Sequence, residues 1–291
     1  MFGLTAMVDF RPLPARAQQP LASQPFDRWI LPDGFVKAEF HRLPDGFLLR
    51  FPDEADFEIL PATSAVTGWP VPDTAPDHFR SLFDNAVLPL IGDHAGGLFL
   101  HGSAVTIDGR AAAFLGQSGD GKTTLAGAFA KAGYPFLTED VIELVPDDDG
   151  YQLQPKPSGL RLYADSAAFL TGAEHIDADS DAKFDVADAM RLPFRNEPAP
   201  LAAIFVLGAD HEAPLGITRL TENRAAQALM PHSFVLDVED KNRLRGHFSR
   251  IVGLCCNTPC YALDYVRDYD ELPRVIAAIA TAISEVGAAN D

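Results

Sequence analysis

Basic charge is scarce in this sequence: 23 lysines and arginines stand against 41 aspartates and glutamates, a formal net charge of −18. So acidic a chain repels nucleic-acid backbones and anionic lipid, and no basic cluster offsets it. Neither nucleic acid nor a membrane surface is an expected partner. Long hydrophobic runs are missing too. No stretch approaches the roughly 18 uninterrupted apolar residues of a membrane span. The N-terminus, "MFGLTAMVDFRPLPARAQQP", lacks a charged start followed by a long apolar run, so no signal peptide and a cytoplasmic location are expected. Cysteine is limited to Cys255, Cys256 and Cys260. "CCNTPC" suggests metal only if a fourth ligand joins the three thiols, and His247 is the nearest candidate. The packing habits of free cysteine favour small apolar residues at a strand edge instead.

What is present suits one or two domains with a sizeable core: 291 residues, 47% of them apolar and 22% charged. Residues 1–26, rich in Pro, Gln and Ala, read as a loose arm. From Trp29 to Ile59, two "PDG" turns bracket strand-like runs, a small antiparallel β unit. "TGWPVPDTAP" (Thr67–Pro76) is the expected connector, giving an N-terminal β-rich domain over 1–75 and a second domain over 76–291. Asp77 can cap a helix through "HFRSLFDNAVLPLI". "GLFLHGSAVTI" and "RAAAFLG" read as a hairpin about a tight Asp108–Gly109 turn. "TTLAGAFAKAG" is a helix that Gly133 ends in a left-handed conformation. "FLTEDVIELV" and "YQLQPK" suggest a second hairpin, and 171–198 a polar, mobile excursion. Strands at "LAAIFVLG" and "LGITRL", a helix over 222–230, a strand at "CYALDYV" and a helix at "LPRVIAAIATAI" complete an α/β core with a mixed, hairpin-rich sheet.

The most specific signal is "GQSGDGKT". Gly116, Gly121, Lys122 and Thr123 satisfy G-x-x-x-x-G-K-[ST]. Glycines at 116, 119 and 121 let backbone N–H groups curl around phosphate oxygens. Lys122 can reach the β and γ phosphates, and the Thr123 hydroxyl can ligate Mg²⁺. A strand precedes the loop and an amphipathic helix follows, adding its dipole. Gly116, Gln117, Ser118, Gly119, Asp120, Gly121, Lys122, Thr123 and Thr124 are therefore the candidate nucleotide-binding residues. The motif names no reaction, since motors, GTPases and kinases share it.

Glu139 and Asp140 follow one helix later. A carboxylate at a strand end beside the loop can hold Mg²⁺, and a neighbouring one can accept the proton of an attacking hydroxyl. A solvated acidic turn is the competing reading. His101, in the apolar run "GLFLHGSAV", taken alone reads as a core histidine. Arg161 in "GLRLY" and Lys183 in "DAKFD" are weaker candidates for neutralising charge during transfer.

In combination these pieces resemble a known family. "LHGSAVTIDGRAAAFLGQSGDGKTTLAGAFAKAGYPFLTEDVIEL" is similar to the catalytic core of the HPr kinase/phosphorylase family, above all its shorter relatives, the HPr kinase-related serine kinases of lasso-peptide and other peptide-modification systems. His101–Gly102, the phosphate loop and Glu139–Asp140 fill the family's places in the same order, over about 45 residues. The resemblance implies a P-loop kinase core of the HPr kinase/phosphoenolpyruvate carboxykinase type. It also implies transfer of the γ-phosphate of ATP, with Mg²⁺, to a serine of a peptide or small protein, such as a biosynthetic precursor peptide. By position, His101 would orient the phosphates or the acidic pair, Thr123 and Asp140 would contact the metal, and Arg161 lies in a segment the resemblance reaches. The family's usual Asp-Asp is Glu-Asp here, which makes Asp140 the firmer assignment. The glycine-containing signature of the bifunctional enzymes is missing, so reverse phosphorylase activity and HPr as substrate are not implied. The parent family forms hexamers, and nothing in the sequence demands or forbids a homo-oligomer. Two other readings stay open: a kinase for a small hydroxyl metabolite, and a non-catalytic nucleotide-dependent binding module.

Overall fold

The computed structural model of the chain describes residues 8–31, 33–156, 159–172, 183–185 and 192–288, without the side chains of Arg161 and of residues 183–185 and 287–288. The chain forms two compact units, one of residues 1–97 with 234–247 and one of residues 98–233 with 248–291. Among the described residues, no helix is long and apolar enough to cross a membrane.

Six strands make the sheet of the first unit: β1 (Asp9–Pro12), β2 (Asp27–Ile30), β3 (Val36–Leu43), β4 (Gly46–Phe51), β5 (Ala55–Leu60) and β6 (Ala65–Pro70). Their order is β1-β6-β5-β4-β3-β2, antiparallel throughout except where β1 runs parallel to β6. The second "PDG" lies at the end of the β3–β4 hairpin, as expected, and Asp33 and Gly34 of the first lie between β2 and β3. The expected loose arm is corrected from Asp9 onward. β1 joins the sheet, and Gln18 Nε2 donates to the carbonyls of Phe51 and Ala55 at 2.9 and 3.1 Å. Arm composition is silent on such long-range pairing of backbone groups.

Two helices follow, α1 (Pro76–Leu82) and α2 (Leu88–His94), joined by a π-helical turn at Phe83–Val87. Pro89 accounts for the widened turn. It has no N–H to give, and its ring would strike the carbonyl four residues back, so the helix loosens just before it. Asp77 is not the cap. The N-cap is Ala75, and Asp77 lies in the first turn, where its charge favours the helix dipole. Phe79 stacks on Phe57 at 5.2 Å, and Phe83 on Phe10 at 3.8 Å. Gly68 makes this packing possible, since a Cβ there would sit 2.8 Å from the Phe79 ring and 2.9 Å from that of Phe57. These contacts draw 76–97 into the first unit, so the expected 75/76 boundary falls inside it, and the first four residues of the "TGWPVPDTAP" connector are in strand β6. The later segment 234–247 belongs here too. Asp237 takes a two-pronged ion pair from Arg42 at 2.7 and 2.9 Å, and buried His247 bonds Asp93 at 2.9 Å.

The second unit contains β7 (Leu98–His101), β8 (Ser103–Ile107), β9 (Arg110–Leu115), α3 (Lys122–Lys131), β10 (Phe136–Thr138), β11 (Val141–Asp147), β12 (Gly150–Leu153), β13 (Arg161–Tyr163), α4 (Ala164–Thr171) and β14 (Lys183–Asp185). It continues with β15 (Ala199–Leu207), β16 (Gly216–Arg219), α5 (Glu222–Leu229), α6 (Lys241–Asn257, of which 241–247 belong to the first unit), β17 (Cys260–Asp264) and α7 (Leu272–Ala288). The main sheet runs β10-β8-β9-β15-β12-β11-β7, with β17 on β15 and β16 on β17; β9, β15 and β17 are parallel and the other pairs antiparallel. A mixed α/β core was expected and is found. The β8–β9 hairpin turns through Asp108 and Gly109, whose φ values of 50° and 79° suit a tight two-residue turn, and Gly133 after α3 has φ 95°.

Helix periodicity supplies two separate cores. One gathers Phe129 of α3 and Val275 and Ile279 of α7 with Phe114 and Phe205; the other gathers Leu229 of α5 and Ile251 and Leu254 of α6 with Leu115 and Ile204. Successive residues of β9 alternate between them, as a strand's side chains must. Helix α6 was missed in the sequence. Its apolar positions are interrupted by basic residues, and its burial comes from tertiary contacts. It corrects the reading of the cysteines: Cys255 and Cys256 lie in its last turn, Cys260 opens β17, and His247 is engaged by Asp93. Among the described residues no cluster of three or more metal-ligating side chains occurs. Much of the expected excursion over 171–198 lies outside the described residues.

Candidate functional site

The parallel strands β9, β15 and β17 end side by side, and the candidate loop leaves the first of them at Gly116. Crevices at such carboxyl ends are where α/β sheets receive ligands. Gly119 and Gly121 have φ values of 94° and 91°, which a residue with Cβ adopts only at a cost. Around Gly119 an added Cβ would meet nothing within 4 Å, so room remains beside the loop for a ligand. Gly121 is the N-cap of α3 and offers no side-chain cap to the helix. The N–H groups of the first turn are thus left for an anion. Lys122 is buried at 7% exposure, and its Nζ donates to the carbonyls of Gly116 and Gln117 at 2.9 and 2.8 Å. Its ammonium is held inside the curve of the loop.

Asp120 occupies a variable place of the motif, yet its side chain is buried and braces the loop. The carboxylate accepts the Gln117 N–H, and its other oxygen lies 3.5 Å from His211 Nε2. Arg267 lies behind it. That guanidinium donates to the carbonyls of Asp120, Tyr265 and Gly208 at 2.9, 2.7 and 2.8 Å and lies 3.9 Å over the Tyr265 ring. Neither His211 nor Arg267 carries any local signal in the sequence.

His101 ends β7, and the acidic pair separates β10 from β11. The two segments form a bent ribbon: β7 pairs with β11, β8 pairs with β10, and the bend falls at Gly102 on one side and at Glu139–Asp140 on the other. His101 Nδ1 donates to the Asp140 carbonyl at 2.8 Å, joined by the Gly102 N–H at 3.3 Å. A carbonyl can only accept, so Nδ1 carries the proton. Asp140 is in the left-handed region, φ 64°. Thr138 Oγ1 donates to the Val141 carbonyl at 2.6 Å and tightens the turn. Because the strand is interrupted here, the two acids separate: Glu139 is 1% exposed and Asp140 half-buried.

One further histidine completes the site. His232, at the end of a short 3₁₀ turn, is buried. The next residue, Ser233, bridges to Leu100, beside His101. Burial first, then Lys122 and His101, hold the His232 imidazole down at about 4, with Asp120 opposing. It is therefore neutral at pH 7, and it feels the phosphate loop and His101 at once. His232 thus lies near enough to Lys122 and His101 to feel both, and His101 is bonded to the Asp140 carbonyl. Thr124 is a different case: its hydroxyl contacts Ser166 of α4 at 3.0 Å, and Ser166 in turn meets Tyr269. The side chains of Arg161 and Lys183 lie outside the described residues.

No family model and no curated protein matches the chain. Matches among solved structures include the Hpr(Ser) kinase/phosphatase from Coxiella burnetii, with 12% identity and a TM-score of 0.37, over 64% of this chain and 97% of that one. At that distance no residue role or activity is transferred from it. The chemistry of the site rests on its own residues. Backbone amides, a helix N-terminus and a buried lysine suit the phosphates of a nucleotide. Half-buried Thr123 and Asp140 offer oxygen donors of the kind a phosphate-bound Mg²⁺ accepts.

Proposed function

We propose that the protein is a kinase that transfers the γ-phosphate of ATP, with Mg²⁺, to a serine hydroxyl of a peptide or small protein, the biosynthetic precursor peptide of a lasso-type system being the acceptor the resemblance implies. The observation that supports this reading is the loop itself, with its positive-φ glycines, the uncapped N-terminus of α3 and buried Lys122 held by the Gly116 and Gln117 carbonyls. Lys122 and the loop amides would neutralise the transferred group, and Thr123 and Asp140 would contact the metal. Catalysis of this kind is positioning plus charge stabilisation. Of the acidic pair, one carboxylate would accept the proton of the incoming hydroxyl and the other would contact the metal; Asp140 is half-buried and Glu139 is 1% exposed. His101 holds that turn through the Asp140 carbonyl.

The test uses the purified chain with ATP, Mg²⁺ and a serine-containing peptide encoded beside its gene, followed by mass spectrometry and a nucleotide-binding titration. Lys122→Ala is expected to weaken ATP binding. Asp140→Asn is expected to bind ATP and to lose transfer by about a hundredfold or more, the usual contribution of a positioned base. Wild-type protein that binds no nucleotide refutes the reading. Binding with no transfer to any serine peptide, and with transfer to a small hydroxyl compound, moves the acceptor assignment.

A further inference from the structure

We infer that Arg267 is a positioning residue that sets the direction of the Gly121 amide, and so forms the phosphate cradle before a nucleotide arrives; this rests on the nucleotide-binding reading above. A trans peptide plane points its C=O and its N–H in opposite directions. Arg267 Nε holds the Asp120 carbonyl at 2.9 Å on the side of β15 and β17. The Gly121 N–H, in the same plane, must then face away from Arg267, toward the interior of the loop. Gly121 has φ 91° and its missing Cβ leaves the peptide free to turn over, because glycine tolerates either sign of φ.

The anchor itself is rigid. Two more carbonyls, Gly208 just past β15 and Tyr265 just past β17, accept from the same guanidinium at 2.8 and 2.7 Å. The Arg267 backbone N–H donates to the His211 carbonyl at 2.9 Å, and its guanidinium lies 3.9 Å over the buried ring of Tyr265. Three carbonyls from three segments, met by one planar fork, is a geometry a lysine cannot reproduce. The Asp120 carboxylate secures the opposite end of the loop through the Gln117 N–H, and Lys122 secures the carbonyls of Gly116 and Gln117. Arg267 is the member of this set that comes from outside the motif.

The experiment measures the affinity of a fluorescent ATP analogue and its displacement by inorganic tripolyphosphate, with thermal unfolding of the ligand-free protein alongside. Arg267→Met is expected to weaken both ligands by about tenfold or more, the scale of one charge-assisted hydrogen bond. Arg267→Lys, which keeps the charge and the stem, covers the case in which the methionine variant fails to fold, and is expected to weaken both ligands by about tenfold because its ammonium cannot span the three carbonyls. Guanidinium ion added to Arg267→Ala is expected to restore part of the affinity, which a loss of bulk stability would not allow. A lysine variant that binds both ligands within twofold of wild type overturns the inference, whatever its melting temperature. Wild-type protein that binds neither ligand refutes the nucleotide reading itself, and the inference with it.

Discussion

Gly102→Ala is the perturbation whose size follows most directly from the structure. The glycine sits at the bend between His101 and β8. A Cβ placed there would lie 2.5 Å from the carbonyl oxygen of Phe114, 2.6 Å from Leu115 Cδ2 and 2.9 Å from Ile142 Cδ1. The two side-chain ends can swing aside. The Phe114 carbonyl cannot, because Phe114 is paired with Ser103 in the β8–β9 ladder. Relief must come from parting the two strands, and overpacking of this kind costs about 3 kcal/mol, the upper part of its usual range. In a unit of this size that corresponds to a fall of about 6–12 °C in melting temperature. The comparison is Gly109→Ala, where φ is 79° but nothing lies within 4 Å of an added Cβ. That variant carries only backbone strain, about 1–2 kcal/mol. Urea unfolding and calorimetry of both variants separate the two costs. If Gly102→Ala is no more destabilised than Gly109→Ala, the claim that close packing requires this glycine is wrong. Because Phe114 and Leu115 lead straight into Gly116, Gly102→Ala is also expected to weaken nucleotide binding.

The remaining predictions concern titration and thiol chemistry. Unfolding frees His232 to take up protons near its ordinary value of 6.5, whereas in the folded protein it does so only near 4. Its contribution to stability is therefore complete above 6.5 and is lost as the pH falls from 6.5 to about 4, an amount on the order of 3 kcal/mol. His232→Gln should flatten the wild-type pH dependence of urea unfolding in that window, and an unchanged slope would rule this origin out. Of the three thiols, Cys256 is exposed, while Cys255 and Cys260 are buried; the hydrogen bond that Cys260 donates to Cys255, and then burial, push the Cys260 thiol up. A thiol reagent on the folded protein should show one fast equivalent, absent from Cys256→Ser, and two slow ones; three equal rates would contradict the placement of α6.

The amino-acid sequence by itself determined what depends on neighbours along the chain. "GQSGDGKT" between a strand and a helix, the Asp108–Gly109 turn, the Gly133 helix end and the hairpins of the first sheet all follow from residues within a few positions of one another. Their physics is local: which residues tolerate positive φ, which pattern faces a core, which loop exposes its amides. Only the tertiary structure decided what meets across long separations. Arg267 reaches Asp120 from 147 positions away, and Arg42 reaches Asp237 from 195. His232 draws its lowered pKa from burial and from charges far from it in sequence, and helix α6 is stabilised by contacts its own interrupted pattern does not announce. The N-terminal arm shows the same limit, for Gln18 is held by carbonyls more than thirty residues further on. Gly102 joins the two kinds of information. The residue stands in plain view beside His101, but the reason it must be glycine lies in the carbonyl of a neighbouring strand, which comes near only once the chain has folded.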